Sequence, residues 1–437
     1  MSAVTSPPKQ KLPLSSIPGA DDITRVELSN GIVVLARENP NSQAVTLRGY
    51  LIAGSLFDPE EKLGLADFVA SALMRGTAKR EFRAIYDSLE SIGASFGFSG
   101  GTHTAGFGGR SLSEDLPLLL DILSEGLRRP TFPTAQVERL RAQLLTGLAL
   151  RTQDTRDMAS LIFDELVYRD HPYARAEEGH PHTVGAITVD DLVDFHRRIY
   201  GPRGMVLAVV GGIDASKAVD EVRAALEDWQ NPEQPPVPRL PEWEPLADRV
   251  NKRHAIPGKS QSDLIIGTAG PARSAPDYMA ANLGNNILGH FGLMGRIGDV
   301  VREQAGLAYY AYSNLGGGSG PGPWAVAAGV NPANEEKATE LIFKELARFT
   351  GELVTEEELA DCQSNFIGSM PLSLETNGGV TEALLNVERH NLGLDYYRQF
   401  PAEIKAITRE QIRDAAARYL PNDKMAVAIA GPRRLET

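Results

Sequence analysis

The chain has a single cysteine, Cys362, among 437 residues. Neither an internal disulfide framework nor a cysteine-based zinc site can be built from it. No run of about 18 apolar residues occurs, so nothing reads as a transmembrane helix. Basic residues are in deficit: 44 Lys and Arg face 57 Asp and Glu, a formal charge of -13. That balance disfavours non-specific binding to nucleic acid or to anionic membrane. Residues 1–16 carry Pro7, Pro8, Lys9 and Lys11 but no apolar stretch after them. They read as a loose tail rather than a signal peptide, with the cytoplasm as the default location. No Gly-x-Ser-x-Gly nucleophile elbow is present. Of the eight histidines only His180 and His182 lie close together, and with His171 they read as a surface loop cluster. His103, between two threonines, reads as a sheet-face residue.

What remains is a globular composition, 42% apolar and 23% charged, in a chain long enough for two or more packed units. Residues 32–37 and 45–52 are β-like, a helix is predicted around 84–92, and Phe96 and Phe98 alternate with small residues before a Gly100-Gly101 turn. A helix from Ser113 has the stripe Leu116, Leu119, Leu120, Leu123 and Leu127, and one from Thr134 has Val137, Leu140, Leu144 and Leu148. Gly316 to Gly322 lies between two β-like runs and lacks the Lys-Ser/Thr of a phosphate loop, so it reads as a mobile hairpin loop. Thr355 and Glu358 open a helix that contains Cys362, which predicts a buried, inert thiol.

The chain repeats itself. Ala186-Ile187-Thr188 leads a helix, then Tyr200-Gly201-Pro202 and the strand Met205 to Val210. After 220 residues, Ala406-Ile407-Thr408 leads a helix, then Leu420-Pro421 and the strand Met425 to Ala430. Thr188 with Asp191 and Thr408 with Gln411 have capping-box spacing. Six prolines from Pro232 to Pro245 separate the copies with a semi-rigid linker. The predicted fold class is α+β: two homologous halves, each a mixed sheet packed with helices, facing each other as a clamshell. The expected divisions are a tail over 1–20, an N-terminal half over 21–230, a linker over 231–247 and a C-terminal half over 248–437.

Gly64 to Thr77 reads as a short amphipathic helix with Leu65, Phe68 and Leu73 inward. Together with His171-Pro172, Thr183 to Thr188, Asn286 to Gly289 and Arg302 to Tyr309, this stretch resembles the insulinase/mitochondrial-processing-peptidase family, the pitrilysin-type zinc peptidases. The resemblance runs from about residue 24 to 432. In active members the first stretch carries His-x-x-Glu-His. Two imidazoles at i and i+4 then chelate zinc and the carboxylate polarises its water. The matching positions here are Asp67, Ala70 and Ser71. Asp67 could offer one oxygen, Ser71 is a poor ligand, and Ala70 cannot act as a base. The region 144–149, where the family has a further Glu ligand, contains no acid.

The resemblance implies no metal in this chain, with zinc in a partner subunit instead. It also implies roles for two residues, Arg302 in holding substrate carbonyls and Tyr309 in donating to an oxyanion. The expected function is that of a non-zinc-binding subunit paired with a zinc-bearing homologue for hydrolysis of short or unfolded peptides. For the isolated chain a homodimer is left open as an alternative. The competing readings are an inactive homologue resembling respiratory-complex core subunits and an independent hydrolase with an unrecognised site.

Overall fold

The structure, a computed structural model, describes residues 17–433, so residues 1–16 of the tail expected over 1–20 lie outside the described residues. Two mixed sheets form the frame. The first holds β1 (Thr24–Glu27), β2 (Val33–Glu38), β3 (Ala44–Leu51), β4 (Ser95–Ser99), β5 (Ala105–Leu112) and β6 (Val206–Gly211), in the order β1-β2-β6-β3-β5-β4. The second holds β7 (Val250–Ala255), β8 (Ser262–Ala269), β9 (Ala308–Leu315), β10 (Pro323–Val330) and β11 (Ala426–Gly431), in the order β7-β11-β8-β10-β9. Each sheet has one parallel pair, β2 with β6 and β7 with β11, and is otherwise antiparallel. The second sheet therefore repeats the first without β1.

The helices follow the same duplication. The first half contributes α1 (Leu65–Ala72), α2 (Phe82–Glu90), α3 (Leu116–Arg128), α4 (Thr134–Arg151), α5 (Thr155–Tyr168), α6 (Pro181–Ala186), α7 (Val189–Ile199) and α8 (Ala215–Leu226). The second contributes α9 (Tyr278–Gly289), α10 (Phe291–Gly298), α11 (Glu335–Gly351), α12 (Glu356–Ser373), α13 (Asn377–Arg389), α14 (Tyr396–Ala406) and α15 (Arg409–Tyr419). Both predicted capping boxes form: Thr188 and Asp191 open α7, and Thr408 and Gln411 open α15. Each box satisfies two backbone N–H groups that the helix itself leaves orphaned.

One helix from each half crosses to the other sheet. α5 lies on β8 and β11 of the second sheet, and α13 lies on β3 and β6 of the first. The seat for α5 is a face of small side chains, Ala325, Ala327, Ala426, Ala428 and Ala430, against which Ala159, Ile162, Phe163 and Val167 are buried. Small residues let the helix approach the sheet closely. α13 meets Val206, Ala208 and Val210 with Val380, Ala383 and Leu384. Each sheet thus has its own half's helices on one face and an exchanged helix on the other.

The linker is held against the exchanged helix α5 and its end. Trp243 donates to the Val167 carbonyl (3.0 Å), Arg169 donates to the Glu244 carbonyl (2.8 Å), and Leu246 is buried beside α5.

Three expectations change. His171 is buried in an aromatic box with Tyr168 and Tyr173 rather than on the surface. Pro181 opens α6 at its first turn, where a missing N–H is harmless, so His180 and His182 flank a helix start instead of forming a loop. His103 lies in the turn between β4 and β5, with Nε2 2.6 Å from the Tyr173 hydroxyl. The glycine-rich loop is seated against this same box: Tyr168 donates to the Pro321 carbonyl (2.8 Å), and Gly320 is buried against Tyr173. Cys362 is buried as predicted, and burial pushes its thiol up to about 12.

Candidate functional site

α1 is set by what precedes it. Gly64 has φ +93°, a conformation that favours glycine, and a Cβ there would lie 2.6 Å from the Glu178 carbonyl. The Asp58 carboxylate accepts from the backbone N–H groups of Gly64 (2.9 Å) and Ala66 (2.9 Å), satisfying the start of the helix from a distance. Burial nevertheless pushes the Asp58 carboxyl up to about 7. Leu65, Phe68 and Leu73 are buried as the amphipathic pattern requires, with Leu73 in a 3-10 turn that follows the helix.

Asp67 and Ser71 lie one turn apart on the partly exposed side of α1, where i and i+4 ligands would stand. Ala70 is fully buried in the core. Asp67 is pushed up to about 6, first by burial and then by the carboxylates of Glu178 and Glu177. Those two acids have partners of their own: Thr102 donates to Glu177 (2.8 Å) and Arg151 pairs with Glu178 (3.1 Å).

α4 packs along α1 with Leu144 and Leu148 in the same core, and Arg141 stacks its guanidinium 5.2 Å from the Phe68 ring centre. Among the described residues, no group of three or more His, Cys, Asp or Glu side chains is placed to hold a metal ion. One carboxylate, one hydroxyl and an alkyl core do not fit zinc, which takes three or four strong ligands.

Arg302 and Tyr309 occupy the edge of the second sheet. Arg302 belongs to a π-helical segment, Asp299–Gln304, an uncommon geometry that concentrates at functional sites. Its side chain is 36% exposed and its nearest ionic partner, Glu303, is 3.6 Å away. Gly306, with φ +63°, reverses the chain into β9. β9 is an edge strand that pairs only with β10. Tyr309 is 72% exposed, more than any other large apolar or aromatic side chain among the described residues. The next residue, Tyr310, faces the other way and donates to the buried Asp263 carboxylate, with Arg156 stacked 4.5 Å from its ring. Tyr310 is held, whereas Tyr309 is presented.

Two features were not visible from residue types alone. The cap at Asp58 reaches six residues forward, outside the usual capping-box spacing. A cavity of about 930 Å³ also opens on the α13 side of β3, β4 and β5. The only sequence signal for it is the alternation of small residues with Phe96 and Phe98.

Comparison with known proteins bears on the fold and the family. The family described as Insulinase (Peptidase family M16) matches residues 33–176, and that described as Peptidase M16 inactive domain matches residues 186–366. An uncharacterized zinc protease of Streptomyces coelicolor is 26% identical over 427 residues, covering 95% of this chain and 90% of its own length. The mitochondrial-processing peptidase subunit beta of Saccharomyces cerevisiae is 26% identical over 84% of this chain and 81% of its own. Cytochrome b-c1 complex subunit 1 of Mus musculus is 28% identical over 60% of this chain and 55% of its own. Among solved structures, the peptidase M16 inactive domain from Pseudomonas fluorescens superimposes with a TM-score of 0.86 at 28% identity, covering 95% of this chain and 99% of the other. The duplicated sheets, the α1 stretch and the family matches across both halves make this chain a member of the M16 (insulinase) peptidase family.

Proposed function

We propose that this chain is the non-zinc-binding subunit of a heterodimeric peptidase, and that it lends Arg302 and Tyr309 to the site of a zinc-bearing homologue. The observation that carries the reading is an asymmetry: α1 offers a single carboxylate, while Tyr309 stands exposed on an edge strand that follows the π-helical segment of Arg302. A tyrosine so placed without a partner among the described residues is unusual for a purely structural residue, since an exposed aromatic ring gains little from burial.

The chemistry available to the pair is specific. Arg302 presents five donors in a planar fork, enough to hold the carbonyls of an extended peptide. The Tyr309 hydroxyl can donate a hydrogen bond to an oxyanion. Losing one such donor lowers kcat by about 10²–10³ in well-studied cases. Short or unfolded peptides are the proposed substrates.

The test mixes the purified chain with a candidate zinc-bearing homologue and follows peptide cleavage. Arg302→Ala and Tyr309→Phe should each slow the mixture by about 10² or more. Full activity with both variants sinks the reading. Likeness to cytochrome b-c1 complex subunit 1 favours a second reading, a structural homologue without catalytic part. A mixture that forms a stable complex but gains no cleavage over the zinc subunit alone would support that reading instead.

A further inference from the structure

The two halves can be aligned residue by residue through their ladders, and one comparison stands out. Arg48 pairs with Ala208 on one side and Gly108 on the other, and Gly108 pairs with Gly97. In the second sheet Ile265 pairs with Ala428 and Ala327, and Ala327 pairs with Tyr312. One row along, Thr46–Arg110–Ser95 corresponds to Asp263–Gly329–Tyr310. The exchanged helices align through their caps: Asp154 accepts from Asp157, and Thr376 accepts from Gly379. Arg156 and Gly378, each two residues after the cap, are therefore equivalent.

In the second half these positions form a plug. Arg156 stacks on Tyr310 (4.5 Å) and Tyr312 (5.6 Å), filling the corner between α5 and the sheet. In the first half the same three positions are Gly378, Ser95 and Gly97, and the corner is the cavity of about 930 Å³. That volume is near the upper end of ligand sites, which run to about 1,000 Å³. Charge has been added where bulk has been removed. Arg48 and Arg110 stand where the other half has Ile265 and Gly329, and Arg389 of α13 completes the wall.

Among the described residues Glu382 is the one acid lining the cavity, against three arginines, in a chain of net charge -13. Its pairing with Arg48 is loose, 3.3 Å with both side chains about half exposed. Arg110 has no ionic partner among the described residues. Arg389 is oriented by stacking 4.3 Å over Tyr50. Gly97 leaves its part of the sheet floor open, with no atom within 4 Å of an added Cβ, while the Arg48 stem lies against Gly108 and the Ser99 hydroxyl against Gly106, so a main chain can lie directly on the open part.

We infer that this cavity is a binding site for an extended peptide segment bearing carboxylates, held by the guanidinium groups of Arg48, Arg110 and Arg389. Guanidinium forks recognise carboxylates bidentately, and the glycine floor gives the peptide room for its backbone. This deepens the peptide-handling reading above. Its test uses the chain alone, so its failure is separate from failure of the pairing with a zinc-bearing subunit.

The experiment is a fluorescence-anisotropy titration of the full chain with a labelled Glu-rich hexapeptide and its Gln and Lys counterparts, at low and moderate salt. The acidic peptide should bind at least tenfold more tightly than the Gln peptide. Two variants attack the site differently. Gly97→Tyr restores the bulk found in the other half, at a position where an added Cβ meets no atom within 4 Å. The double change Arg48→Ala with Arg110→Ala removes charge and leaves the space. Each should weaken binding tenfold or more while the thermal midpoint holds.

C-terminal amidation distinguishes the two carboxylate sources: lost binding assigns the terminal carboxylate, and retained binding assigns the side chains. Equal affinity for all three peptides, or unchanged binding in both variants, overturns the inference. Equal competition by an oligonucleotide of matched charge also overturns it, because it would mark a general anion patch.

Discussion

Asp67 packs so closely against Gly100 that a Cβ on the glycine would lie 2.6 Å from the aspartate Oδ1. The contact closes one side of the only carboxylate left on the α1 motif face. Burial and then repulsion from Glu178 and Glu177 push that carboxyl up to about 6, while the hydrogen bond from the Gly100 backbone pulls the other way.

Asp67→Asn should therefore stabilise the protein at high pH and not at low pH. The folded state holds its proton to about 6, while the unfolded carboxyl releases it near its ordinary value of 3.8. Between those values the folded state binds more protons, so ionising Asp67 opposes folding increasingly as pH rises and fully above about 6. Urea unfolding should show the Asn variant more stable by about 2 kcal/mol at pH 8 and equal to the parent near pH 4. A constant difference at both pH values would refute the assignment.

Glu358 should behave in the opposite sense. Arg296 grips it with two 2.6 Å bonds, and despite burial its carboxyl is held down to about 2. Its stabilising effect is complete above the ordinary value of 4.5 and is lost as pH falls through about 2. Glu358→Gln keeps the capping-box amide opposite Thr355, so it isolates the charge. The loss at pH 7 should be about 2 kcal/mol and should shrink towards zero near pH 2, read from the same unfolding curves.

Tyr310→Phe tests the plug of the second half. Asp263 is 2% exposed and accepts from Tyr310, Thr155 and Gln261. Removing the phenol leaves a buried carboxylate oxygen short of a donor, at about 1–3 kcal/mol. The change should lower the thermal midpoint, whereas Tyr309→Phe, in the exposed neighbour, should leave it unmoved.

Gly289→Ala should be among the most damaging single-methyl additions. Its Cβ would stand 1.9 Å from the Ser313 backbone nitrogen, where α9 crosses β9, and backbone cannot step aside. We expect a loss of about 3 kcal/mol, the upper part of the usual overpacking range, or failure to accumulate soluble protein. A variant with parental stability would mean that α9 can lift away from the strand.

Much of this was legible before the structure. Capping spacing at Thr188 and Thr408 located two helix starts, because a cap is a local hydrogen-bond requirement that neighbouring residues state openly. The inward side of α1 was readable for the same reason, from Leu65, Phe68 and Leu73. Partner choice was not. The pattern of Ala159, Ile162, Phe163 and Val167 announces a buried face on α5, but nothing local says that the face meets the sheet of the other half. The burial of His171 depends on Tyr168 and Tyr173 folding around it, and a proline neighbour gives no hint of that. The arginine-lined cavity is written in glycines and a serine whose meaning appears only once strands are in register and the halves can be compared.

The exchange of α5 and α13 has a mechanical consequence. A protease cut in the linker would not release two domains, because each fragment would still hold the other's missing helix. Either fragment made alone would expose an uncovered sheet face, alanine-rich in one case and valine-rich in the other, and should aggregate. A chain clasped in this way resists hinging about its linker.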